Sequence, residues 1–194
     1  MQVDMNLGDT QLILKECARQ GLSKRHTAYV LATAYWETAR TVKPVREAFW
    51  LSEAWRRTNL RYYPWYGRGY VQLTCENNYI FAGKKLSLDL TTDPDVVMQP
   101  EISAKILVKG MVEGWFRKGK KLSTFTTYES MRDIINGDMA KVSKDTGERI
   151  DVSIANIARA YEKTLPDEIV EKGSSGIGFM EVLLRLLGKI LGRK

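Results

Sequence analysis

The segment Arg61-Tyr62-Tyr63-Pro64-Trp65-Tyr66-Gly67-Arg68-Gly69-Tyr70-Val71-Gln72-Leu73-Thr74-Cys75-Glu76-Asn77-Asn78-Tyr79 limits the fold more than any other part of the chain. Gly67 and Gly69 flank an arginine and reach backbone conformations closed to other residues, so a tight turn is expected there. In an extended run beyond the turn, side chains alternate between faces. Tyr70, Gln72 and Thr74 then point one way and Val71, Leu73 and Cys75 the other. The second set reads as core and the first as the floor of a cleft. Phenol, amide and hydroxyl groups beside flat rings suit a sugar, which offers hydroxyls and C–H faces. An aromatic hairpin that only packs would have the same composition.

The rest of the chain reads as mostly helical. Leu7, Leu12, Ile13, Leu14 and Cys17 mark a helix ending at Gly21, and Ser23 caps a second in which Ala28, Leu31, Ala32 and Tyr35 recur at helical spacing. That helix delivers Glu37 at its C-terminal end. Pro44 breaks the pattern and puts Glu47 in a separate segment. The Gly-Arg-Gly region supplies one short hairpin. A helix resumes at Asn77 and stops near Gly83, and a loop runs from Leu86 to Gln99. Pro100 opens a helix whose end takes in Trp115 and Phe116. Helices over 128–135 and 152–165 complete the domain.

Trp36-Glu37-Thr38, then Arg46-Glu47, then Tyr66-Gly67-Arg68-Gly69-Tyr70-Val71-Gln72-Leu73-Thr74, then Asn77-Asn78-Tyr79, and later Ile134-Ile135-Asn136-Gly137, together resemble glycoside hydrolase family 19. That family holds plant and bacterial chitinases and the lysozyme-like endolysins of bacteriophages. The resemblance runs from about residue 28 to about residue 160. It implies a mainly α, two-lobed, lysozyme-like domain with a small β-hairpin at the cleft, over residues 1–165. It also implies an inverting hydrolysis, in which Glu37 protonates the leaving oxygen, Glu47 activates water and the Thr74 hydroxyl helps to hold that water. Tyr66, Arg68, Gln72, Asn78 and Asn136 match sugar-contacting or network positions. Glu53 competes with Glu47 for the base role. Aromatic walls from Tyr35, Trp36 and Trp50 would raise the pKa of Glu37, and Arg46 would favour ionisation of Glu47. The sequence departs from the family where His-Glu-Thr-Gly-Gly is usual and Trp36-Glu37-Thr38-Ala39-Arg40 stands, and at Cys75, where tryptophan is common.

Charge and cysteine usage refine this expectation. Thirty basic residues against 23 acidic leave a net charge of +7, which favours polyanionic surroundings. The basic residues are scattered rather than massed on a nucleic-acid module, so no nucleic-acid partner is expected. Two cysteines make no disulfide framework, and a single histidine, His26, excludes a His-rich metal site. No metal or cofactor is therefore expected. The first residues show no basic segment followed by an apolar run, so no signal peptide is visible.

Residues 166–178, with Gly173-Ser174-Ser175-Gly176, read as a linker, and 179–194 as an amphipathic cationic helix. Its Arg185, Lys189, Arg193 and Lys194 would meet lipopolysaccharide or an anionic membrane surface, unless the helix docks on the domain instead. These features favour a monomeric phage or prophage endolysin, made in the host cytoplasm and acting on peptidoglycan in the periplasm. A chitinase is the enzymatic alternative. A non-catalytic aminosugar-binding or membrane-active protein is the alternative from another class.

Overall fold

The structure is a computed structural model and describes residues 2–167. Six α-helices carry it: α1 (Thr10–Arg19), α2 (Lys24–Glu37), α3 (Glu53–Asn59), α4 (Glu76–Leu86), α5 (Pro100–Glu113) and α6 (Ile150–Thr164). The one sheet among the described residues is the antiparallel pair β1 (Val45–Arg46) and β2 (Arg68–Gly69), with Val45 opposite Gly69 and Arg46 opposite Arg68. The fold is mainly α with a small β-hairpin, as expected. The tail helix with Arg185, Lys189, Arg193 and Lys194, and the linker beyond its first two residues, lie outside the described residues.

Helix α2 is the centre of the fold. Every residue from Thr27 to Ala34 is buried, the pattern of a helix enclosed by others rather than laid on a surface. Ala28, Ala32 and Ala34 let neighbours approach, and α6 packs along α2 more extensively than any other helix, with α1 and α5 also against it. Ser23 caps its N-terminus by accepting the His26 N–H at 3.2 Å, an interaction worth about 1 kcal/mol. Helix α6 answers with Ile150, Ile154, Ile157, Ala158 and Tyr161 on one buried stripe. Burying each of its isoleucines contributes about 1.5–3 kcal/mol.

The end of α2 is turned sharply. The Thr38 hydroxyl donates to the Ala34 carbonyl at 2.7 Å and accepts the Val42 N–H at 2.9 Å. Ala39, Arg40 and Val42 take left-handed backbone angles, with φ of 50°, 68° and 51°. Ala39 and Arg40 stand where the family pattern has Gly-Gly. The conformation that glycines would adopt freely is here held by two residues with side chains.

Several local expectations are corrected. No extended run follows Gly69: Arg68–Gly69 is itself the strand and the chain turns over residues 70–72, with Gln72 at φ 54° and Cys75 beyond it at 74°. Alternation therefore fails at Tyr70, which is fully buried and donates its hydroxyl to Asp9 at 2.8 Å instead of flooring a cleft. Helix α3 has no apolar stripe, only Arg56 buried, so periodicity gave no sign of it. Helix α4 runs past Gly83 to Leu86. A Cβ on that glycine would come within 2.6 Å of the Leu88 carbonyl, so Gly83 serves a close approach rather than a stop. Helix α5 ends at Glu113, capped by Gly114 at φ 77°, and Phe116 folds back onto Gly110. Residues 130–134 form a 3-10 helix rather than the α-helix expected over 128–135.

Candidate active site

A cavity of about 580 Å³ opens beside the C-terminal end of α2. Trp36, Glu37, Ala39 and Arg40 form one side, Val45 to Trp50 the other, Gln72 the floor, and Asp145 reaches in from the loop before α6. The volume lies within the range of small-ligand sites. Both carboxylates expected to work as a pair, Glu37 and Glu47, line this one space, although Pro44 separates their elements.

Glu47 is fixed by the backbone of Gly67, just before β2. Its N–H donates to the Gly67 carbonyl at 2.7 Å, and its Oε2 accepts the Gly67 N–H at 3.0 Å. A Cβ on Gly67 would sit 2.8 Å from Gln72 Oε1 and 3.2 Å from Glu47 Oε2, so a side chain there would push the ends of both residues aside. Gln72 is held in turn by donating its amide to the carbonyls of Val45 at 2.9 Å and Gly69 at 3.2 Å.

Glu37 has a different partner from the one expected. Trp36 and Trp50 do share its cavity, but Tyr35 does not, and a guanidinium contacts the carboxylate. Arg132, with 4% of its side chain exposed, donates Nη1 to Glu37 Oε1 and Nε to Asp138 Oδ1 at 2.9 Å. Burial alone would lower the pKa of this arginine. Glu37 and Asp138 outweigh it and hold the pKa above the usual arginine range. Sequence reasoning missed Arg132 and Asp138. The available sign was an arginine between Met131 and Ile134 in an element whose other inward residues are apolar.

Glu53, the competitor for the base role, does not line the cavity. It accepts from Arg56 Nε at 2.9 Å and from the Tyr66 hydroxyl at 3.0 Å. Against the opposing effect of desolvation, these hydrogen bonds hold its carboxyl below the usual glutamate range.

Two of the expected sugar contacts are scaffold instead. Tyr66 and Arg68 are only 1% and 4% exposed. Arg68 stacks 3.7 Å from the Tyr66 ring centroid and donates to Asp95 Oδ1 at 2.7 Å and to the Pro64 carbonyl at 2.8 Å. Its guanidinium is consumed in bracing the turn beneath Glu47. Arg46 donates to the other oxygen of Asp95 at 2.8 Å, which ties β1 to β2 a second time.

Thr74, Asn78 and Asn136 are not among the residues lining the cavity. The Thr74 hydroxyl donates to the Gln72 carbonyl at 2.8 Å and the exposed Asn78 donates to the Thr74 carbonyl at 2.7 Å, so both tie down the backbone that follows Gln72. Asn136 is exposed and its N–H donates to the Arg132 carbonyl at 3.1 Å. At the rim, Phe49 and Trp50 are 52% and 71% exposed and meet edge to face at 5.1 Å. Two large rings left in water at the mouth of a polar cavity offer a platform for the C–H face of a sugar.

No family model matches the chain. Curated relatives include Chitinase 11 of Oryza sativa subsp. japonica, 49% identical over 41 residues (21% of this chain, 16% of the relative). Chitinase 8 of the same plant is 36% identical over 84 residues, which is 43% of this chain and 28% of that protein. The chain thus spans less than a third of either curated relative. Among solved structures, chitinase C of Streptomyces griseus HUT6037 aligns with a TM-score of 0.45 at 20% identity, covering 72% of this chain and 59% of that one. A mutant form of chitinase C aligns with a TM-score of 0.45 at 18% identity, covering 78% and 76%.

Proposed function

We propose that this protein hydrolyses β-1,4-glycosidic bonds in a polymer of N-acetylated aminosugars, within the lysozyme-like branch of glycoside hydrolase family 19. The observation that carries this reading is that Glu37 and Glu47 face one open cavity from separately anchored elements. In the proposed mechanism Glu37 gives a proton to the leaving oxygen. Glu47, pinned by the Gly67 N–H, takes a proton from a water that attacks from the opposite side of the sugar ring. No covalent intermediate forms and the anomeric configuration inverts. Trp50 and Phe49 carry a sugar at the rim, and Gln72 lies beneath it. Tyr66, Arg68 and Arg132 act as positioning residues through the carboxylates and the turn.

The preferred substrate is peptidoglycan. The net charge of +7 favours an acidic wall over neutral chitin. Chitin is the second reading, favoured by the chitinase names of the relatives that align in part. Purified sacculi and chitin oligomers, each incubated with the protein and with Glu37→Gln, separate the two. Activity on sacculi should fall by about 10²–10⁴-fold in Glu37→Gln while the fold survives. NMR of the first products should show inverted configuration. Retained configuration, or near-normal activity of a folded Glu37→Gln, would refute the mechanism. Turnover of chitin oligomers alone would select the second reading.

A further inference from the structure

Beyond Trp36 and Arg40 lies a second cavity of about 420 Å³, which shares those two residues with the candidate active site and so continues its groove. Its walls are mixed: Tyr35, Trp36 and Ile157 give apolar surface, and Thr146, Glu148, Ser153 and Asn156 bring polar groups from the loop and first turns of α6. Two unlike charges look into it. Arg40 forms no ion pair among the described residues, and Glu148 accepts only from the Ser153 hydroxyl at 2.5 Å and the Asn156 amide at 3.3 Å. A guanidinium and a carboxylate that share a cavity without neutralising each other suit a ligand carrying both charges in reverse.

Arg40 is also strained. Its left-handed φ of 68° costs an arginine about 1–2 kcal/mol that glycine would not incur. Ala39 and Val42 share such angles in the same bend, and Arg40 is the member of it that brings a charge to the junction of the two cavities. Strain of this kind persists where the surrounding structure holds it in place, and it clusters at ligand sites.

We propose that this second cavity receives the peptide stem of peptidoglycan, with Arg40 taking a stem carboxylate, Glu148 a side-chain ammonium and Asn156 a backbone amide. The stem leaves the glycan strand sideways from alternate sugars, so a compartment opening off the cleft would receive it as the strand lies across Glu37 and Glu47. Chitin has no such branch. This inference rests on the proposed function and makes it specific for peptide-bearing glycan.

The test begins with binding, which needs no hydrolysis. The full chain is titrated with an N-acetylated alanyl-γ-glutamyl-diaminopimelate tripeptide and followed by NMR. Arg40→Gly, Arg40→Gln and Glu148→Gln are titrated in parallel. Each variant should bind about tenfold more weakly, the loss of one charge-assisted contact. Arg40→Gly should at the same time be as stable as the parent or more so, which a structural role for Arg40 would not allow. In hydrolysis, the ratio of kcat/KM on stem-bearing sacculi to that on amidase-stripped glycan should fall about tenfold in the Arg40 variants.

Absence of tripeptide binding by the parent, or equal binding by Arg40→Gly, overturns the inference. Binding without cleavage of any glycan overturns the proposed function and leaves the compartment standing. Cleavage with an unchanged ratio overturns the compartment and leaves the function standing.

Discussion

Replacing Arg132 with methionine removes the group that joins Glu37 to Asp138 and keeps an unbranched apolar stem in the space. Only 4% of the Arg132 side chain is exposed, against 19% for Glu37 and 20% for Asp138. Breaking a buried ion pair by deleting one partner costs about 3–5 kcal/mol. Water reaches about a fifth of each orphaned carboxylate and recovers part of that, which places the expected loss near the lower end, about 3 kcal/mol. For a domain of this size that corresponds to a drop in Tm of about 6–12 °C. Urea unfolding should show a lower midpoint with an unchanged m. Adding Glu37→Gln removes one of the two uncompensated charges, so the double variant should recover about 1 kcal/mol relative to the sum of the single changes. Measured well below its melting point, Arg132→Met should also turn over substrate poorly, because Glu37 is no longer aimed into the cleft. If the two substitutions add within about 0.5 kcal/mol, the pair contributes no coupling and the positioning role of Arg132 is refuted.

Gly67→Ala should lower kcat by about tenfold or more with little change in Tm, because the new methyl displaces Gln72 and Glu47 rather than the core; steady-state kinetics beside calorimetry checks this. Ala39→Gly should raise stability by about 0.5–1 kcal/mol by relieving a left-handed angle, read from urea midpoints. Asp95 titrates below the usual aspartate range, because hydrogen bonds from Arg46 and Arg68 outweigh the opposing effect of its partial burial. Its stabilisation is complete above the unfolded value near 3.9 and is lost as the pH falls through the lower folded value. Asp95→Asn should be less stable at neutral pH, with the difference from the parent closing across that acid window. In thiol labelling, half-buried Cys75 should react in the native protein, while Cys17, fully buried and with its thiol pushed far up by that burial, should react only after unfolding. Removing residues 173–194 should leave hydrolysis of purified sacculi nearly intact and weaken binding to anionic vesicles, an effect that added salt should mimic.

Helix α2 and the helices that enclose it were readable because their apolar residues recur at helical spacing, with Ser23 and Pro100 marking the starts of α2 and α5. Helix α3 was not, since a helix that buries only Arg56 leaves no periodic trace. The carboxylate pair was readable from the motif resemblance, and the structure brings both members to one cavity. What surrounds them was not. Tyr66 and Arg68 look like ligand contacts in a motif, yet close packing of a cation on a ring turned them inward. The environment of Glu37 depends on a residue with no local tie to it, and no pattern within a window of sequence can report such a pairing. The left-handed angles at Gln72 and Cys75 defeated the alternation rule because neither residue announces a positive φ.

The contact between Glu37 and Arg132 closes a span of 95 residues. Loops of that length form late, since their entropy must be offset by contacts that appear only as the ends meet. The α1–α2 pair and the Gly-Arg-Gly turn are assembled from neighbours in the chain and can form first. Hydrolytic competence should therefore be the last property that a refolding chain regains. In a stopped-flow experiment, tryptophan fluorescence and far-UV signal should recover ahead of activity, and the lag should lengthen in variants that weaken the docking of α6 on α2. A half-folded chain would hold both carboxylates and cut nothing.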